Sequence, residues 1–138
     1  MNKLIQFAGE ALLNRYLVGA FVLIIVALTL TLDVLGVVYP CPYCRTQRAA
    51  LGILALILVS PWTRVLFWRF IAALAGFYGL VVGVMQNFNH VKKINKGEFD
   101  WSALTIDHPF ILSGLAVTAL VWLLFLILDL PRLLSEKA

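Results

Sequence analysis

Residues 16–34 read YLVGAFVLIIVALTLTLDV, a nearly unbroken apolar run that has a single ionisable residue, Asp33, at its far end. About 20 such residues in a helix cross the roughly 30 Å hydrocarbon core of a bilayer. The rest of the chain agrees with this run, because 62% of its 138 residues are hydrophobic and only 13% are charged. A soluble domain of this length needs more polar surface than that. The sequence therefore predicts a membrane protein.

Three further apolar segments predict an all-α membrane protein, a four-transmembrane-helix bundle that forms a single domain over residues 1–138. The spans are expected at about residues 16–34, 44–62, 65–86 and 109–130. The apolar part of the second span, residues 49–62, would give a helix of only about 21 Å, so this helix is expected to begin earlier, near Pro42. In the third span, Gly79 and Gly83 have the spacing that lets helices approach closely.

Two segments outside the spans are expected to lie on the membrane surface. Residues 1–14 form an amphipathic lead with apolar side chains at helical spacing. In the loop 87–108, apolar and polar residues alternate around Trp101, which predicts a short interfacial helix there. Four crossings put both termini on one side, and the distribution of positive side chains predicts that this side is cytoplasmic.

The net charge of +4 raises the question of nucleic acid binding. The basic residues are scattered among apolar runs and form no stripe along one face. Positive charges that flank membrane helices explain this pattern, so no nucleic acid partner is expected.

Both cysteines of the chain lie in one motif, Cys41-Pro42-Tyr43-Cys44. Thiol–disulfide exchange needs a thiolate that attacks and a second sulfur that resolves the mixed disulfide, and two cysteines at this spacing meet both needs. Cys44 is expected in the first turn of the second helix, where the helix dipole, Arg45 and Arg48 favour a thiolate. The motif therefore predicts a catalytic, redox-active pair.

A non-enzymatic alternative is a membrane subunit whose cysteines hold a metal, a haem or a partner protein. Zinc usually takes four ligands, and Cys41, Cys44, His90 and His108 could supply them from one side of the membrane. Arginines next to the motif would repel a cation, so we expect no metal. The oxidoreductase remains the leading hypothesis and the binding subunit remains the alternative.

The nine residues 40–48, PCPYCRTQR, closely resemble the signature of the DsbB disulfide-bond-formation family. Their position, after a first membrane helix and at the start of a second, fits the family as well, and the likeness in topology covers nearly the whole chain. The resemblance implies a thiol:quinone oxidoreductase of the bacterial inner membrane, using ubiquinone or menaquinone. Cys41, Cys44 and the loop 87–108 would then face the periplasm.

The resemblance also implies roles for individual residues. Cys41 would form the mixed disulfide with an incoming thiol, and Cys44 would face the quinone. Arg48 matches the arginine that binds the quinone carbonyl region, Arg45 is assigned to the same cofactor site, and His90 matches, more loosely, a quinone-proximal histidine.

One departure from the family pattern concerns the thiol partner. Well-studied members have a second cysteine pair in the long outer loop, whereas the loop 87–108 contains no cysteine. Another subunit could supply that pair, or the protein could serve a different redox task. The simplest expectation is that a thioredoxin-fold, DsbA-like dithiol protein, or a specialised thiol substrate, attacks Cys41 directly.

Overall fold

The computed structural model describes residues 9–38, 41–106 and 108–129. Within them the chain forms four long helices and two short 3-10 turns, with no strand. The 3-10 turns are Pro61–Arg64 and Trp101–Ala103. The helices are α1 (Arg15–Val34), α2 (Pro42–Val59), α3 (Leu66–Asn95) and α4 (Pro109–Ile127).

The four helices run alternately up and down, so the bundle has two distinct ends. The start of α2 and the segment 96–108 lie at one, which we call the cysteine end, and residues 9–14 and the turn Pro61–Arg64 lie at the other, the distal end. Helix α2 packs against all three other helices, whereas α1 packs mainly against α2. Because α2 is central, its side chains meet every other part of the bundle.

Three of the four helices, α1, α3 and α4, are long and apolar enough to cross a membrane. They indicate a multi-pass membrane protein. Helix α2 is not among them, because Arg45, Gln47 and Arg48 lower the hydropathy of its first two turns. The fourth crossing therefore stays a prediction.

The predicted start of the second helix near Pro42 is confirmed, since α2 begins at that residue. The predicted end of the third helix near residue 86 is wrong, because α3 continues to Asn95. A 30-residue helix is about 45 Å long, more than a bilayer core requires. The helix stops where Gly97 takes a positive φ of 73° and its N–H binds the carbonyl of Ile94. The loop at this end is accordingly 96–108, not 87–108.

The two predicted surface segments are only partly described. Residues 9–13 are helical up to Asn14, whose side chain caps the start of α1, while residues 1–8 lie outside the described residues. The interfacial helix expected in the outer loop is a single 3-10 turn, Trp101–Ala103, in which Trp101 is 63% exposed. Helix α4 ends at Ile127, close to its predicted limit, and residue 130 itself is not described.

The apolar core lies mainly towards the distal end, in the later half of α2, the earlier half of α3 and the later half of α4. Its buried residues are Ala50, Leu54, Ile57, Leu58, Ala72, Leu120, Leu123 and Ile127. Buried glycines of α3 let that helix approach its neighbours. A methyl group at Gly79 would lie 2.6 Å from Cβ of Ala50, and one at Gly83 would lie 2.7 Å from Cγ2 of Val117. The expected packing role of these glycines is confirmed.

Replacing Gly79 with Ala should therefore lower the free energy of unfolding by about 1–3 kcal/mol, the usual cost of overpacking. Gly52→Ala is the matched control, because a methyl group there would meet only Val26 Cγ1, at 3.5 Å. That variant should keep or raise stability by up to about 1 kcal/mol through helix propensity. Thermal unfolding of the purified protein in detergent compares the two, and equal effects would contradict the close approach of α3 to α2.

Candidate active site

Cys41 is the N-cap residue of α2, and its side chain replaces the oxygen that usually caps a helix. Its Sγ accepts a hydrogen bond from the backbone N–H of Cys44 at 3.4 Å, and Pro42 begins the helix behind it. Both cysteines are free and half-buried. The prediction that Cys44 lies in the first turn of this helix is confirmed. The hydrogen bond from a free N–H group of that turn, however, goes to the sulfur of Cys41 and not to that of Cys44.

Cys44 faces a buried pair of amides between α2 and α3. Nε2 of Gln47 donates to Oε1 of Gln86 at 2.8 Å, and Nε2 of Gln86 approaches Sγ of Cys44 at 3.9 Å. The two glutamines are only 5% and 6% exposed. Because an unpaired buried amide is costly, this pair fixes the rotation of α2 against α3 and with it the direction of the Cys44 side chain.

Asp33, at the end of α1, holds both arginines of the motif. Arg45 binds it with two hydrogen bonds, Nε to Oδ2 at 2.8 Å and Nη2 to Oδ1 at 2.9 Å. Arg48 adds a third, from Nη1 to Oδ2 at 3.0 Å. The Asp33 side chain is 7% exposed and that of Arg48 16%, so this is a partly dry ion cluster with a net charge of +1. The sequence predicted that Arg45 and Arg48 would stabilise a thiolate at Cys44. The carboxylate of Asp33 offsets part of that positive charge.

His90 lies inside α3, not beyond its end as the sequence suggested, because the helix runs to Asn95. Its ring packs against Phe99, His108 and Phe110, with centroid distances of 6.5, 5.4 and 5.9 Å. Burial, helped by the charges of His108 and Lys93, lowers the pKa of His90 below its usual range. The imidazole is therefore mostly neutral at pH 7.

The predicted cofactor residues line two separate cavities on different sides of α2. Arg45 and Arg48 lie at the head of an apolar groove of about 630 Å³ between α1 and α2, which we call the arginine groove. His90 lines a polar cleft of about 570 Å³ with Gln86 and three lysines, the histidine cleft. The structure brings Arg45 and Arg48 together and does not bring His90 to them.

The four side chains considered as a zinc site are not assembled. Among residues 9–38, 41–106 and 108–129, no three His, Cys, Asp or Glu side chains come together as metal ligands. His90 and His108 face each other, but the Nδ1 atom of His108 is used as the N-cap of α4, accepting from the N–H of Phe110. The geometry gives the metal-binding alternative no support.

A comparison with protein families finds a match that covers the cysteine motif and the helices around it. The family model described as "Disulfide bond formation protein DsbB" matches residues 12–103, two thirds of the chain, and this match includes the cysteine motif with α1, α2 and α3. The chain belongs to the DsbB family. No curated protein and no solved structure matches it. Membership in the DsbB family makes the protein a membrane thiol–disulfide oxidoreductase of disulfide-bond formation.

Sequence reasoning missed two residues of this DsbB-family site. Gln86 was only the last residue of a predicted span, and Asp33 was interpreted mainly as a helix end. The signal for Asp33 was present, because an ionisable side chain beside an apolar run calls for a partner. Nothing in the linear sequence pairs Gln86 with Gln47, which lies 39 positions earlier.

Asp33→Asn should lower the thermal unfolding midpoint, because it leaves two arginines without their carboxylate. The same change made in an Arg48→Gln, Arg45→Gln background should have little further effect, since the interaction has already been removed. Thermal unfolding of the four proteins in one detergent measures the coupling. Additive effects would show that the ion cluster contributes nothing to stability.

Proposed function

We propose that this DsbB-family protein is a thiol:quinone oxidoreductase that takes electrons from a dithiol protein through Cys41 and Cys44 and reduces a membrane quinone. The observation that carries the proposal is the placement of a C-x-x-C pair at the start of α2, with Cys41 as the N-cap residue and Arg48 one turn after Cys44. The alternative is a non-enzymatic membrane subunit whose cysteine pair binds a metal, a haem or a partner protein. Among the described residues, no three His, Cys, Asp or Glu side chains come together as metal ligands.

The exchange step begins with an oxidised Cys41–Cys44 disulfide. A thiolate of the partner attacks Sγ of Cys41, the Cys41–Cys44 bond breaks, and Cys44 leaves with the electron pair. The second thiol of the partner then attacks the partner's own sulfur in the mixed disulfide and releases Cys41. The hydrogen bond from the Cys44 N–H to Cys41 Sγ favours this second step, because a stabilised Cys41 thiolate is a good leaving group. The choice of Cys41 as the sulfur attacked first follows from the match to the DsbB family and from its place at the tip of α2.

The arginine groove suits a quinone better than the histidine cleft does. Below Asp33, Arg45 and Arg48 its walls are apolar side chains of α1 and α2, such as Leu30 and Ile53, which fit an isoprenoid tail. The histidine cleft is lined by lysines, Asn89 and Glu98 and would place polar groups against such a tail. A guanidinium at the head of the groove can hydrogen-bond a quinone oxygen as negative charge builds on it.

A bound quinone, ubiquinone or menaquinone, supplies an acceptor for two electrons and two protons. Cys44 lies one turn before both Gln47 and Arg48, so it stands between the side of α2 that faces α3 and the side that faces α1. The reduced pair gives up two electrons and two protons as the Cys41–Cys44 disulfide forms again. Each cycle thus oxidises one partner dithiol and produces one quinol.

We place the protein in the bacterial inner membrane, with its termini in the cytoplasm and the cysteine end in the periplasm. A thioredoxin-fold, DsbA-like dithiol protein of the periplasm is the proposed partner, and a specialised thiol substrate is the other candidate. With no cysteine in the loop 96–108, the simplest route is that such a partner attacks Cys41 directly. The half-buried state of Cys41 at the tip of α2 is compatible with this approach.

Cys44→Ser should abolish thiol-dependent quinone reduction. Its remaining Cys41 thiolate should attack the disulfide of the oxidised partner and stay linked to it as a mixed disulfide, because no second cysteine resolves the bond. Cys41→Ser should abolish turnover as well but trap far less of the oxidised partner. Non-reducing gels of membranes, with quinone reduction followed by absorbance, measure both. Unchanged turnover in the Cys44 variant would remove the pair from catalysis, and more trapping by Cys41→Ser than by Cys44→Ser would reverse the two roles.

Arg48→Gln should raise the KM for quinone about tenfold or more, the usual effect of losing a charged hydrogen bond, with a smaller change in KM for the thiol partner. His90→Ala should leave the KM for quinone within about twofold, because His90 lines the other cavity. Steady-state kinetics with a short-chain quinone compares the two variants. A KM for quinone that rises in His90→Ala and stays unchanged in Arg48→Gln would place the quinone in the histidine cleft instead of the arginine groove.

A further inference from the structure

A third positively charged cavity lies at the distal end, away from the cysteines. This distal pocket, of about 450 Å³, is formed between the turn Pro61–Arg64, the start of α3 and the end of α4. Its polar lining includes three arginines and one carboxylate, those of Arg15, Arg64, Arg69 and Asp129. The pocket thus has a net charge of +2, and nothing in the redox chemistry uses it.

The arginines of the distal pocket are positioned by a buried threonine. Nη1 of Arg15 donates to Oγ1 of Thr63 at 2.8 Å, and Nε of Arg69 donates to the carbonyl oxygen of Thr63 at 2.6 Å. Thr63 is only 4% exposed, which anchors the two guanidinium groups. Arg15 also donates from Nη2 to the hydroxyl of Tyr16 at 2.6 Å, and within the described residues Arg15, Arg64 and Arg69 form no ion pair. Each guanidinium carries five N–H donors, so donors are left for a ligand.

Two other features point to an anion at headgroup depth. Helix α3 begins at Leu66 with no side-chain cap, so its first N–H groups add positive potential beside Arg64 and Arg69. Trp62 and Trp68 stack beside the pocket, with ring centroids 4.5 Å apart, and Trp62 is 46% exposed. Exposed tryptophans at the ends of membrane helices mark the interface between hydrocarbon and water.

We propose that the distal pocket binds the phosphate of an anionic phospholipid headgroup, with Arg15, Arg64 and Arg69 as its ligands. Leu126, a partly exposed apolar residue at the pocket wall, is placed to meet the upper part of an acyl chain. A free phosphate ion shares the headgroup chemistry but gains nothing from that apolar contact. This site is independent of the proposed quinone chemistry, and either can fail without the other.

Two substitutions test the site in opposite directions. Arg64 is exposed and makes no hydrogen bond in the described structure, so Arg64→Gln removes a ligand without disturbing Thr63. Asp129→Asn removes the opposing carboxylate, and asparagine tolerates the positive φ of 58° found there. Lys92→Gln, at the cysteine end, is the matched control for the loss of one positive charge.

The full-length protein, purified in a neutral detergent, is titrated with phosphatidylglycerol, phosphatidylcholine or inorganic phosphate. Native mass spectrometry counts bound lipid, and tryptophan fluorescence follows phosphate. Phosphatidylglycerol should bind more tightly than phosphatidylcholine. Arg64→Gln should weaken its binding about fivefold, Asp129→Asn should strengthen it by a similar factor, and Lys92→Gln should leave it unchanged.

Three results would overturn the assignment. Equal binding of the two lipids would mean that charge plays no part, and equal weakening by Arg64→Gln and Lys92→Gln would mean that the attraction is not local. Inorganic phosphate bound as tightly as phosphatidylglycerol, with the same dependence on Arg64, would make the ligand a soluble anion rather than a lipid.

Discussion

The structure depends on one constraint, which is that the first two turns of α2 are polar while the rest of the bundle is apolar. A charged or amide side chain at the edge of a membrane domain is costly unless it finds a partner. Asp33 of α1 meets this need for Arg48, and Gln86 of α3 meets it for Gln47. Two neighbouring residues of α2 thus attach it to two different helices, and their directions determine where Cys44 can point.

The same constraint gives the two cysteines different surroundings. Cys41 precedes the helix and takes the free N–H of the first turn, so it sits at the tip of α2 where another protein can reach it. Cys44 is already inside the first turn, beside the Gln47–Gln86 pair and one turn from Arg48. One sulfur lies at the start of the helix and the other faces a neighbouring helix. A two-residue spacing across a helix start is enough to produce this difference.

Features of the fold that depend on hydropathy and on local helix caps could be predicted from the sequence. The apolar runs predicted the helices, and the short apolar part of α2 correctly required a start near Pro42. Hydropathy marks where lipid contact ends and not where a helix ends, so the last nine residues of α3, with His90 among them, were assigned to a loop. The partners of Arg45, Arg48 and Cys44 come from other helices, and pairings over 12 to 42 positions leave no local pattern. The sequence therefore predicted the place of the cysteine motif in the fold better than the surroundings of its side chains.

The uneven position of the apolar core has a consequence for motion. Leu54, Leu58 and Leu120 close the distal half of the bundle by packing, while the cysteine end is joined largely by side-chain hydrogen bonds such as those of Asp33 and Gln86. Regions with few buried apolar contacts open locally at lower free energy than the core does. Amide hydrogen exchange should then be fastest around the first turn of α2 and slow in its second half. The first turns of α2 would then open at lower free energy than its second half. The cysteines can therefore move when another protein binds, while the apolar core keeps the bundle folded.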